Sequence, residues 1–146
     1  MYTTRLIKAA ATHGIRRRVL RDGKDVSVVF DRDIEPTTFH TGIFKGATLL
    51  GIATFMKNKH KDLQGEHYQL RGMAVSESHQ GLGLGNTLLD FGLKKISELG
   101  GDLCWCNART VALSFYEKKG FDTIGEEFIV PEIGPHFVMF KKLSNV

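Results

Sequence analysis

One stretch, residues 68–106, constrains the fold more than any other part of the chain. It reads as strand, glycine-rich loop, helix, strand. Residues 68–75 (Tyr-Gln-Leu-Arg-Gly-Met-Ala-Val) form the first strand. Apolar residues then recur at Leu84, Leu88, Leu89, Leu93, Ile96 and Leu99, which is the helical period. Gly100 and Gly101 follow, where glycine is expected past a helix C-terminus. Residues 103–106 are a short apolar strand. A crossover of this kind joins parallel neighbours through a right-handed connection. Any fold for this chain must hold that unit.

The flanks add antiparallel partners. Residues 39–45 and 48–56 are apolar and β-branched around a turn at Gly46, and read as a hairpin. Residues 3–9 read as a first strand. Residues 11–21 read as a helix with Ile15, Val19 and Leu20 on one side, stopped by Asp22-Gly23. Residues 26–38 are open to either strand or loop. Residues 110–119 read as a second short helix, with Ala112, Phe115 and Tyr116 on one stripe. Strands at 128–130 and 136–140 close the chain around a turn with Pro131, Gly134 and Pro135. The order β-α-β-β-β-α-β-α-β-β predicts an α/β (α+β) fold: a mixed, mostly antiparallel twisted sheet with a central parallel pair and helices on both faces. The 146 residues suit one domain.

Several functional classes fall away. No apolar run approaches the ~20 residues of a spanning helix, and residues 1–8 lack a signal-peptide core; the expected location is the cytoplasm, with no membrane partner. Cys104 and Cys106 share one face of a strand. A closed zinc site needs about four ligands and there is no second cysteine pair, so both read as buried thiols and no metal is expected. The net charge is +4, concentrated in Arg16-Arg17-Arg18 and Arg21. With no aromatic residues interleaved, this run reads as a solvated helix face rather than a nucleic-acid surface, and a general basicity would attract a polyanionic cofactor.

The chemistry lies in the loop. Gln80-Gly81-Leu82-Gly83-Leu84-Gly85-Asn86 lets the backbone approach a ligand, and the helix it opens presents unpaired N–H groups at its positive end. That is an anion cradle, usually for phosphate. The dinucleotide fingerprint fails, because Asn86 or Leu88 stands where its last glycine belongs. The P-loop Gly-Lys-Ser/Thr is missing too.

Gln-x-x-Gly-x-Gly at residues 80–85 resembles the pyrophosphate loop of the GNAT superfamily of acyl-CoA N-acyltransferases. Residues 107–121, from Asn107 through Phe115-Tyr116 to Gly120-Phe121, resemble that superfamily's other signature. The resemblance implies acetyl-CoA as acyl donor and a small-molecule or peptide amine as acceptor, with a homodimer as one arrangement. It implies that the sheet splays to admit the donor. Met73, Ala74 and Val75 would pair with the pantetheine arm, while Gln80, Gly81, Leu82, Gly83, Leu84, Gly85 and Asn86 would hold the pyrophosphate. Asn107 would bond the pantetheine. Tyr116 would face the sulfur and protonate the departing thiolate, whose acid has a pKa of ~8.5. An amide near Ala74 or Val75 would hold the oxyanion. The base that frees the amine is open among Glu66 and His67 before the strand, His40 in the hairpin, and His136. Arg71 and Arg109 either bind an acidic acceptor or pair on the sheet surface. The alternative to an enzyme is a non-catalytic CoA-binding module on the same fold.

Overall fold

The computed structural model describes residues 1–21 and 27–143. Asp22-Gly23, the expected helix stop, lies outside the described residues. Seven strands are found among the described residues: β1 (Tyr2–Ile7), β2 (Phe39–Lys45), β3 (Thr48–Lys57), β4 (His67–Val75), β5 (Leu103–Arg109), β6 (Asp122–Val130) and β7 (Gly134–Lys142). They form one sheet in the order β1-β2-β3-β4-β5-β7-β6. Only β4 and β5 run parallel; the other neighbours are antiparallel. The mixed sheet is the one the order of elements predicts. No helix among the described residues is long and apolar enough to cross a membrane.

Helices cover both faces. On one, α2 (Leu84–Glu98) buries Leu84, Leu88, Leu89, Leu93 and Ile96 against Ile43, Phe55, Leu70, Cys104 and Cys106. The short α3 (Leu113–Lys118) packs beside it through Leu113, Phe115 and Tyr116. Lys119, just past α3, bonds the Asp90 carboxylate and ties the two helices together. On the other face, Ile15, Val19 and Leu20 pack on Ile52 and Ala74. Both cysteines are buried and free.

The N-terminal helical segment departs from the expected regular helix. A 3₁₀ turn (Ala9–Thr12) leads into α1 (His13–Ile15) and then a π-helical turn (Arg16–Leu20), closed by an N–H···O bond from Arg21 to Arg16 of 3.1 Å. The solvated-face reading of its arginines fails at Arg16, which is 1% exposed. Arg16 points into the sheet because Asp33 waits there: its guanidinium bonds both carboxylate oxygens at 2.7 and 2.9 Å, Val28 O at 2.7 Å and Thr54 Oγ1 at 2.8 Å. Residues 27–38 are a loop held by this clip, which resolves the strand-or-loop ambiguity for the described part.

The feature that makes the site is in β4. Ile52 faces Ala74 and Thr54 faces Arg71, so Gly72 and Met73 share one partner, Ala53. This is a β-bulge with its first residue, Gly72, at φ +65°. A Cβ there would lie 2.7 Å from the Phe30 ring. The extra residue reverses the alternation, so Leu70 packs under α2 while Ala74 packs against Ile15. Ladder pairing between β4 and β5 covers only His67–Leu103, Tyr68–Cys104 and Gln69–Trp105. Beyond the bulge the two strands part.

Candidate active site

Parting strands leave a cleft of about 700 Å³. Its walls are the separated halves of β4 and β5, and its mouth is the loop before α2. Met73, Ala74, Val75, Gln80, Gly85, Asn107 and Tyr116 all line it.

The loop has the backbone that anion binding requires. Gly81 and Gly83 adopt φ of +80° and +82°, and Gly83 caps α2 from the left-handed region. No contact lies within 4 Å of a Cβ built at either glycine, so conformation rather than crowding selects them. Among the described residues, no amide of residues 81–86 donates to a protein acceptor; the first inward bond is from Thr87 N–H to Gly83 O. Six N–H groups at this helix N-terminus thus lack an internal acceptor, and Gly85 among these residues lines the cleft. The Gln80 side chain folds back instead, its amide donating to Val75 O at 2.9 Å. It fixes the loop to the end of β4.

Alternation along β4 decides which amides face the gap. Ser76 N–H donates across to Leu50 O at 2.7 Å. In an antiparallel pair, successive residues point to opposite edges. Ala74 therefore turns toward β3 and Val75 toward the gap, while Met73 sits in the bulge, where the alternation does not hold. Of the two amides expected as oxyanion donors, Ala74 and Val75, only that of Val75 faces the gap.

Tyr116 stands on the α2 side of the cleft. Its ring packs edge-on against Phe115 and Phe121. Its hydroxyl lies close enough to the Cys106 thiol for the two groups to perturb each other. Burial first, and then the neighbouring thiols, push the tyrosine well above its usual range. Burial likewise pushes Cys106 up to about 12, which the tyrosine's hydrogen bond only partly offsets. Both groups are therefore protonated near neutrality. Tyr116 thus keeps its proton, and the thiols are inert.

His136 lines the same cleft from β7, directly across from Arg109 of β5. Its Nδ1 lies 2.8 Å from Gly134 O. A carbonyl only accepts, so Nδ1 carries the hydrogen, and in the neutral imidazole the lone pair is then on Nε2. The structure brings Tyr116 and His136 to one cleft but does not bring Glu66 there. Glu66 lies at the far, paired end of β4, its side chain 63% exposed and 3.4 Å from Lys57 Nζ. His40 is also elsewhere, sealed behind the Arg16 clip by Thr54 Oγ1 at 2.8 Å and Asp33 O at 3.0 Å.

Sequence reasoning missed three neighbours of the site. Cys106, Phe30 and Arg21 also wall the cleft. For Phe30 a signal existed: a lone glycine inside a strand marks a bulge or a close approach, and at Gly72 it marks both.

The comparisons agree with this architecture. The "Acetyltransferase (GNAT) family" profile matches residues 16–121. The N-acetyltransferase YitI of Bacillus subtilis (strain 168) is 35% identical, with 99% of each chain covered. Among solved structures, Escherichia coli ElaA superposes with a TM-score of 0.80 at 20% identity, covering 97% of this chain and 99% of that one. An acyl-CoA N-acyltransferase from Pseudomonas aeruginosa gives 0.80 at 18%, with coverage of 97% and 99%. At such identities the structural likeness speaks for the fold alone.

Proposed function

Since the chain belongs to the GNAT family of acetyltransferases, whose general reaction is acyl transfer from acyl-CoA to an amine, we propose that it transfers acetyl from acetyl-CoA to a small amine by direct attack on the thioester. The observation that carries this reading is the row of unsatisfied amides at residues 81–86, opening on a cleft that ends at the Tyr116 hydroxyl.

Each residue then has a task. The amides of Gly81, Leu82, Gly83, Leu84, Gly85 and Asn86 hold the diphosphate. The backbone of Met73 and Val75, which line the cleft, supplies partners for the pantetheine arm, with the Asn107 amide on the opposite wall. When bound, acetyl-CoA supplies a thioester already activated toward amines. His136 Nε2 accepts a proton from the acceptor amine, whose nitrogen forms the new C–N bond. Val75 N–H donates to the carbonyl oxygen as it gains charge. As the C–S bond breaks, the thiolate takes a proton from Tyr116. No carboxylate lines the cleft among the described residues, so His136 takes the base role here in place of Glu66. The two buried free thiols suit a cytoplasmic setting.

The test is acetyl-CoA consumption against a broad amine panel, with Tyr116→Phe as control. Loss of a general acid lowers kcat about 10²–10⁴-fold. A Phe variant with unchanged kcat would remove Tyr116 from the mechanism. A protein that binds CoA tightly yet acetylates nothing in the panel would favour the non-catalytic binding module.

A further inference from the structure

The acceptor side of the cleft has a charge pattern that the donor does not require. Residue parity separates the two faces. Cys106 and Ala108 belong to the core beneath α2 and α3, with Met139 paired to Cys106. Asn107, Arg109 and, opposite it, His136 therefore point to the other face, the one covered by the N-terminal segment. Arg71 lies on that face as well, stacked on Phe30. Arg21 joins them at the cleft wall. Three arginines thus line the cleft, and among the described residues no aspartate or glutamate does.

Arg71 is placed rather than loose. Its guanidinium sits 4.2 Å from the centroid of the Phe30 ring, and the Arg16 guanidinium sits 3.8 Å from it. The Arg16–Asp33 clip and the Phe30 N–H bond to Asp33 Oδ2 at 2.9 Å lock the ring. This gives the Arg71 guanidinium a seat over the ring, and neither Arg71 nor Arg109 forms an ion pair with a carboxylate among the described residues. A guanidinium fork without an ion-pair partner matches a carboxylate in two parallel hydrogen bonds. Around it the wall is apolar: Val19, Leu20, Phe30, Val130 and Ile133.

We infer that the acceptor is a primary amine carrying a carboxylate on an apolar body, as in an apolar amino acid, and that Arg71 binds the carboxylate while His136 faces the amine. This rests on the acetyltransferase reading and names its substrate class. Polyamines and aminoglycoside-like polycations are disfavoured by the same residues, because three arginines and no carboxylate among the described residues line the cleft.

Leucine, leucinamide and isopentylamine share one apolar body and differ only at the carboxyl, and spermidine serves as the polycation. Initial rates are compared on the concentration of neutral amine, which removes the difference in basicity. Leucine is expected to exceed leucinamide and isopentylamine in kcat/KM by about ten-fold or more, the worth of one charge-assisted contact. Arg71→Gln should erase that preference through the KM for leucine and leave the KM for acetyl-CoA unchanged. Preference for the amide or for spermidine overturns the inference. So does an Arg71→Gln defect confined to the KM for acetyl-CoA, which would assign the arginine to the donor's phosphates. Calorimetry with N-acetylleucine and N-acetylleucinamide needs no turnover: equal affinity for the two overturns the inference even if none of the amines is acetylated. Failure to bind CoA would instead sink the acyltransfer reading, and the calorimetric comparison would still decide the charge of the acceptor.

Discussion

Replacing Asp33 by Asn should destabilise the protein out of proportion to the one atom changed. Arg16 makes four hydrogen bonds, and two of them end on the Asp33 carboxylate. Both side chains are almost fully buried, at 1% and 2% exposure. Asparagine keeps the shape but removes the charge, and its NH₂ meets donors from Arg16 or Phe30. An uncompensated buried guanidinium then costs about 3–5 kcal/mol, a large share of the ~5–15 kcal/mol of a typical domain. The melting temperature should fall by roughly 10 °C at about 2–4 °C per kcal/mol. The pH dependence has a definite sign. Burial pushes Asp33 up, but hydrogen bonds from Arg16 and the Phe30 amide, with the charge of Arg16, outweigh it and leave the carboxyl below its usual value. A depressed carboxyl contributes stability above its unfolded pKa of about 4, and loses it as pH falls through the lower folded value. Urea unfolding of both proteins should therefore give the same gap at pH 7 and pH 5, closing only in stronger acid. A gap below about 1 kcal/mol at pH 7 would refute the reasoning, because it would mean the carboxylate does not compensate Arg16.

Other sites give independent checks. Gly92→Ala should destabilise by about 1–3 kcal/mol despite the better helix propensity of alanine, because a Cβ would lie 2.0 Å from the Phe55 ring; a raised melting temperature would contradict the tight α2–β3 contact. Gly72→Ala should also destabilise, by about 1–3 kcal/mol, since it combines φ +65° with a 2.7 Å approach to Phe30; it should weaken catalysis too, by distorting the bulge that opens the cleft, and full activity would detach the bulge from function. Cys104 and Cys106 should resist iodoacetamide at pH 8 until the protein unfolds, as burial pushes both thiols up. Fast labelling of native protein would show the cleft to be wetter than described.

The elements with strong periodicity were legible from the chain. The helix of Leu84, Leu88, Leu89, Leu93 and Ile96 lies where the pattern puts it, as does the hairpin around Gly46. The crossover gave the parallel pair. Strand ends were less legible: β6 begins at Asp122 rather than 128, because its outer positions are exposed at a sheet edge and carry no apolar signal. The Arg16 clip was invisible for a different reason. Its members, Arg16, Asp33 and Thr54, are polar residues far apart in sequence, and local charge density argues for solvent. In the site, the glycine loop could be read because backbone conformation dictates glycine there. Which of Glu66 and His136 lies at the cleft could not be read, because Glu66 precedes the paired end of β4 while His136 faces Arg109 on β5, and only the splay of β4 from β5 makes that end a cleft.

Amide chemical shifts recorded by NMR while CoA is titrated into the protein test the central claim most directly. Saturable binding is expected, with the largest shifts at the amides of residues 81–86 and at Val75, and a smaller response at Tyr116. Binding that leaves those amides unmoved, or no binding at millimolar CoA, would contradict the account.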